Sequence, residues 1–268
     1  MHLERVDPDN LPSLHDDEAT VTGKVPGSRK LRERFDELHD RLAKLQRVFY
    51  ADGRHALLVV FQGRDASGKD GTIRNVCGAF NPQGCRVTSF GVPSTHELAH
   101  DFLWRIHNAV PPRAMIGVFN RSHYEDVLAV RVHELVPEAI WSGRYQQINA
   151  FEAGLVANDV IIRKFFLHVS SDEQRERLQE RLTNPERNWK FRAGDLDDRA
   201  RWDEYTDAYR EILGRCSTMD APWFVVPADD KRVRDYLVAR ELVDTLESLD
   251  LRYPEAAPDI MRYASLVD

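Results

Sequence analysis

Leu31, Phe35, Leu38, Leu42, Leu45 and Phe49 recur at steps of three and four residues with polar residues between them. That spacing predicts an amphipathic helix starting at Ser28, and Gly53 stands where such a helix stops. Before it, residues 1–26 are polar, interrupted by Pro8, Pro12, Gly23 and Pro26, and show no period, so they read as an arm over the surface. After it the pattern alternates. Short apolar runs at His55–Gln62, Cys85–Phe90, Ala114–Phe119, Val160–Val169 and Trp223–Val226 are separated by helix-period stretches at about 68–79, 95–108, 123–136, 138–158, 172–183, 197–215 and 230–248. Near-continuous apolar strands between helices predict an α/β fold, a mostly parallel, roughly five-stranded sheet covered on both faces.

Composition narrows this picture only a little. The 268 residues are 42% apolar and 30% charged, ordinary for a globular protein that buries its own core. No stretch approaches the roughly 18 consecutive apolar residues of a membrane span, and the N-terminus lacks the basic-then-apolar layout of a secretory signal. Three scattered cysteines, Cys77, Cys85 and Cys216, make neither a disulfide framework nor a zinc site, which predicts a reduced, cytoplasmic setting. A net charge of −7 argues against a nucleic-acid coat and requires any basic surface to be local.

Gly63-Arg64-Asp65-Ala66-Ser67-Gly68-Lys69 follows an apolar run and opens a helical one, the context a phosphate-binding loop needs. Its glycines let backbone N–H groups curl around phosphate, Lys69 adds a point charge, and the helix that follows presents its positive end. The alternative is a glycine-rich turn that happens to hold a lysine. After Lys69 the usual magnesium-holding Ser or Thr is replaced by Asp70, with Gly71 and Thr72 beyond. Asp65 inside the loop would be repelled by phosphate unless it holds magnesium; the plainer alternative is a turn cap.

The apolar run ending at Phe119 leads into Asn120-Arg121-Ser122-His123-Tyr124-Glu125-Asp126. Ligands gather at the carboxyl ends of parallel strands, so this cluster is expected to face the loop. Arg121 suits a transferring phosphoryl group, and Glu125 and Asp126 are candidates for metal or nucleotide contacts. Acids near a helix start also serve as simple dipole caps. His123 reads as a packing residue rather than a phosphate carrier.

The segments "FQGRDASGKDGTIRNV", "FNPQGCRVTSFGVPSTHELAHDFLWRIH", "GVFNRSHYEDVL" and "RLTNPERNWKFRAGDLDDRARWDEY" resemble, in order and spacing, the polyphosphate kinase 2 family over about residues 30–250. The forms "NRSHYEDVL" and "HDFLWRIH" resemble the branch that accepts nucleoside monophosphates as well as diphosphates. The resemblance implies a P-loop kinase-like three-layer αβα sandwich, a helical lid, a dimer or tetramer, and magnesium dependence with manganese as a substitute. By the same resemblance Asp65 falls on the loop acid implicated in metal binding, Lys69 on the phosphate-binding lysine and Arg121 on the Walker B arginine. Asn120 stands where many relatives carry an aspartate, leaving Glu125 or Asp126 to compensate.

Between Arg181 and Arg192, four cations (Arg181, Arg187, Lys190, Arg192) accompany one acid, Glu186, and Asn184-Pro185 breaks the helix before them. Alone this is a charged turn; after a P-loop core it reads as a lid, about 181–200, closing cations over phosphates. Arg74 is placed to line the entrance. Glu173 and Glu176 with Arg175 and Arg177 read as helix-surface pairs. The expected protein is a single kinase domain, 28–268, behind an arm at 1–27. It moves phosphoryl groups between inorganic polyphosphate and AMP or ADP, with guanine acceptors left open. Two alternatives stand: an ATP-dependent kinase of a nucleoside monophosphate or other small molecule, and a non-catalytic polyanion-binding regulator.

Overall fold

The computed structural model describes residues 1–258, 260 and 263. The expected domain end at Asp268 lies outside them. Five strands, β1 (Ala56–Gln62), β2 (Cys85–Ser89), β3 (Ile116–Asn120), β4 (Val160–His168) and β5 (Trp223–Pro227), form one sheet in the order β2-β3-β1-β4-β5. Every neighbouring pair is parallel. The apolar runs foretold the strands to within two residues.

β1 is buried along its whole length, and its side chains alternate between two cores. Leu57, Val59 and Phe61 join the face covered by α1 (Ser28–Asp52) and α10 (Lys231–Glu247), while Leu58 and Val60 join the face covered by α6 (Glu138–Val156) and α9 (Trp202–Cys216). A strand buried on both sides has no polar face to alternate, which is why its sequence is a plain apolar run. The stripe on α1 packs on its own chain's core.

Three expected helices are each broken. Residues 95–108 form α3 (Thr95–Leu98) and α4 (Trp104–His107), with the Asp101 carboxylate taking the Leu103 N–H at 3.0 Å between them. A side chain that captures a local N–H competes with helix continuation. Residues 123–136 begin as a short 3-10 turn, His123–Asp126, capped by the Ser122 hydroxyl, before α5 (Ala129–Val132). The stretch 197–215 divides into α8 (Gly194–Ala200) and α9 at Arg201, whose φ of −102° and ψ of 35° leave the helical region. The helix α7 (Ser171–Thr183) ends at Asn184 as its sequence predicted.

The N-terminal arm is tied down rather than loosely draped. Val6 N–H donates to Trp223 O at 2.9 Å beside β5, Leu14 is buried, and Asp16 accepts the Ser171 N–H at 3.1 Å at the start of α7. It covers one edge strand of the sheet, where unpaired backbone would otherwise face solvent.

Candidate active site

The loop at 63–68 leaves β1 and enters α2 (Lys69–Val76). Its glycines are needed for space as well as conformation. A Cβ at Gly63 would sit 2.7 Å from Leu167 O, and one at Gly68, where φ is 104°, would collide with the Arg234 guanidinium. The loop is also held from behind. Arg177 of α7 donates to Ala66 O at 2.9 Å and Ser67 O at 3.0 Å, and its other nitrogen to Ala228 O at 2.7 Å beyond β5. Gln174 of the same helix donates to Asp65 O at 3.0 Å. Arg177 therefore corrects the surface-pair reading: it does meet Glu173 at 2.7 Å, but its side chain is 8% exposed and serves the loop.

Lys69 is buried, and its ammonium donates to Gly63 O at 2.7 Å and Arg64 O at 3.2 Å. Burial and the neighbouring Arg121 pull its pKa down to about 8, against the raising pull of Asp65, Glu125 and Asp70. Burial works against charge on Asp65 too, but the cations Arg121, Lys69 and Arg181 outweigh it and hold that carboxyl below its ordinary value. Arg121 meets Asp65 at 2.5 Å and Glu125 at 3.8 Å from a left-handed backbone with φ of 62°. Its N–H is fixed by Phe61 O at 3.0 Å, so the β3 exit is stitched to β1. Asp65, Arg121 and Glu125 line one cleft with Gly63, Tyr205 and Asp198, as the strand-end rule foretold.

The remaining expected site residues are placed as follows. The Thr72 hydroxyl points to Asp235 of α10 at 3.2 Å, and Arg74 is exposed. Asp70 takes Asn120 at 2.9 Å and Lys190 at 3.2 Å, so it joins the loop helix to both the β3 exit and the 181–200 segment expected to be a lid. Of the lid cations, Arg181 pairs with Asp195 at 2.8 Å and Arg187 with Glu180, while Arg192 is exposed without an ion pair among the described residues. Asp126 turns away from the cleft toward Arg144 at 3.4 Å and Arg105 at 3.8 Å.

Two site residues escaped the sequence reading. Asp198 of α8 stands against the Asp65 carboxylate and is held by His133 at 2.7 Å and Tyr205 at 3.0 Å. Arg64 is buried, 3.9 Å over the Trp202 ring, with Nε and Nη1 lacking hydrogen-bond partners among the described residues. Both side chains look like ordinary helix or loop charges in sequence, and only tertiary packing brings them to the cleft.

Two carboxylates set against each other, Asp65 and Asp198, need a cation or a proton between them. Among the described residues no three His, Cys, Asp or Glu side chains converge to hold a metal unaided. That donor set fits an ion that keeps water and phosphate oxygens in its shell, as magnesium does.

Known proteins resemble this chain in sequence and in fold. The family model described as "Polyphosphate kinase 2 (PPK2)" matches residues 27–254. An AMP/ADP-polyphosphate phosphotransferase of Meiothermus ruber is 51% identical over 253 residues, covering 94% of this chain and 91% of its own. An ADP-polyphosphate phosphotransferase of Rhodopseudomonas palustris is 48% identical, covering 88% and 87%. The crystal structure of polyphosphate kinase 2 from Arthrobacter aurescens TC1 aligns with a TM-score of 0.92 at 38% identity, over 99% of this chain and 98% of that one.

Proposed function

This chain belongs to the polyphosphate kinase 2 family, and we propose that it transfers phosphoryl groups between inorganic polyphosphate and AMP or ADP. The observation that carries the reading is the meeting of Lys69, Arg121 and Asp65 at the carboxyl ends of β1 and β3, with Asp198 brought in by the lid side.

The loop N–H groups and Lys69 hold the phosphate chain, and Arg121 neutralises charge on the group in flight. No nucleophilic side chain is required, and His123, buried against Glu152 at 3.1 Å, is no phosphate carrier. Asp65, with Glu125 or Asp198, would hold magnesium. When bound, that ion neutralises phosphate oxygens and orients them. The lid, about 181–200, closes Arg181 and Lys190 over the cleft and excludes water. One kinase domain from residue 28 and an arm at 1–27 complete the organisation, with magnesium replaceable by manganese and the protein working in the cytoplasm as a homo-oligomer.

The test is an assay with polyphosphate as sole donor and AMP or ADP as acceptor. ADP and then ATP are expected from AMP, and a chelator should stop the reaction. Transfer from ATP to AMP without any from polyphosphate would favour an ATP-dependent nucleotide kinase instead.

A further inference from the structure

Asp126 and Arg105 are left with complementary hydrogen-bonding capacity that they do not spend on each other. Asp126 Oδ1 takes Arg144 Nη1 at 3.4 Å, and the same nitrogen donates to the Asp126 main-chain oxygen at 2.8 Å. Asp126 Oδ2 is buried and accepts no hydrogen bond among the described residues. Arg105 Nη2 lies 3.8 Å from it, beyond hydrogen-bonding distance. The Arg105 side chain is only 8% exposed, yet its one short bond among the described residues is to Gly91 O at 2.9 Å, with Glu97 at 4.0 Å. A buried acceptor short of a donor is costly, and a guanidinium carries five N–H donors.

The place of this pair matters as much as its chemistry. Phe90 N–H donates to Asn120 O at 3.0 Å, which locks the exit of β2 to that of β3. Asp126 follows Glu125 in the turn after Arg121, with its carboxylate toward Arg105 and Arg144 and not among the residues that line the cleft with Glu125. The pair thus sits one strand beyond the phosphate cleft, on the same edge of the sheet. Aromatic rings flank it: the Arg105 guanidinium is 5.6 Å from the Phe90 ring and the Arg144 guanidinium 4.8 Å from the Phe102 ring.

We propose that Arg105 and Asp126 read the base of the acceptor nucleotide and select adenine. Adenine presents an amino donor beside the N7 acceptor, whereas hypoxanthine and guanine present a carbonyl acceptor beside N7. Asp126 Oδ2 accepts from the amino group and Arg105 donates to N7. A carbonyl in place of the amino group faces the carboxylate and is repelled. This rests on the phosphotransfer reading above, with Arg121 holding the phosphate end of the same molecule.

Asp126→Asn tests the acceptor half with a change of sign rather than a simple loss. Arg144 keeps the amide oxygen at the Oδ1 place, so the amide N–H group takes the place of Oδ2 and now meets a carbonyl. Expected for the wild type is a kcat/KM for AMP at least about tenfold above that for IMP, with the ratio falling at least tenfold in the variant. The Arg105 half is read on the wild type alone: 7-deaza-AMP, which lacks N7, should be used at least about tenfold less well than AMP. Equal losses for AMP and IMP in Asp126→Asn, or equal use of AMP, IMP and 7-deaza-AMP by the wild type, would overturn the assignment. Calorimetric titration of AMP, IMP and 7-deaza-AMP reads the same preferences without turnover. Selective binding with no transfer from polyphosphate would therefore count against the phosphotransfer reading alone.

Discussion

Lys69 shows how one residue couples burial to chemistry. Its ammonium is enclosed and sits near Arg121, and both effects pull its pKa from 10.5 to about 8. The unfolded chain binds this proton more readily between those values, so Lys69 makes stability rise with pH across that window. With Lys69 in its proposed phosphate-holding role, substrate capture should run the other way, since its charge is lost from the free enzyme above about pH 8. We expect kcat/KM for polyphosphate to decline as pH passes that value, because this ratio reports the free enzyme. At saturation kcat should hold to higher pH, since bound phosphate favours the charged amine. A kcat/KM flat from pH ~7 to ~9.5 would count against a titrating Lys69.

At the scale of elements, the turn after β3 is fastened by a buried network between α6 and β4. Lys164 spends all three ammonium protons, on Glu152 at 2.5 Å, Tyr124 OH at 2.8 Å and Cys216 O at 2.7 Å. Glu152 also takes the Tyr124 hydroxyl at 2.8 Å and meets His123 at 3.1 Å. His123 and Tyr124 lie between Arg121 and Glu125, so this network fixes the residues that face the cleft. Lys164→Met leaves Glu152 buried without its lysine partner, with only Tyr124 and His123 beside it. A loss of about 3–5 kcal/mol is expected by urea unfolding, and the double change with Glu152→Gln should recover much of it. A single variant as stable as the wild type would show that the pair adds nothing. None of this was legible beforehand. Lys164 lies beside Arg163 in a mostly apolar strand, and Glu152 occupies one position on a long helix, so neither signals its partner. The loop at 63–69 was legible because its constraints are local: Gly63 and Gly68 lack room for a side chain, and the strand and helix flank it directly. Arg177 and Asp198 were missed for the opposite reason, since their roles arise only where α7 and α8 cross the loop.

Across the whole molecule, a net charge of −7 makes the grip on a polyanion depend on where the cations can go. The lid carries them, and most are engaged with carboxylates: Lys190 with Asp70 at 3.2 Å, Arg187 with Glu180, and Arg181 with Asp195. Exposed pairs such as Arg187–Glu180 are worth only about 0–1 kcal/mol, so a chain of phosphates can displace them at little cost. On the lid reading proposed above, Asp70 would be a holding partner, keeping the segment near the loop helix until phosphate takes Lys190. Such contacts work partly through diffuse attraction and weaken as salt rises. Replacing Arg187, Lys190 and Arg192 together with alanine should raise KM for polyphosphate about tenfold or more, equivalent to about 1.4 kcal/mol. KM for AMP or ADP should change far less, because the proposed acceptor place at Arg105 and Asp126 lies on the β2–β3 side, away from these cations. The variant should also lose much of the wild type's salt dependence for polyphosphate, whereas a purely structural lesion would lower turnover and leave that dependence intact. Unchanged polyphosphate saturation at both low and high salt would reduce the segment to a charged surface turn.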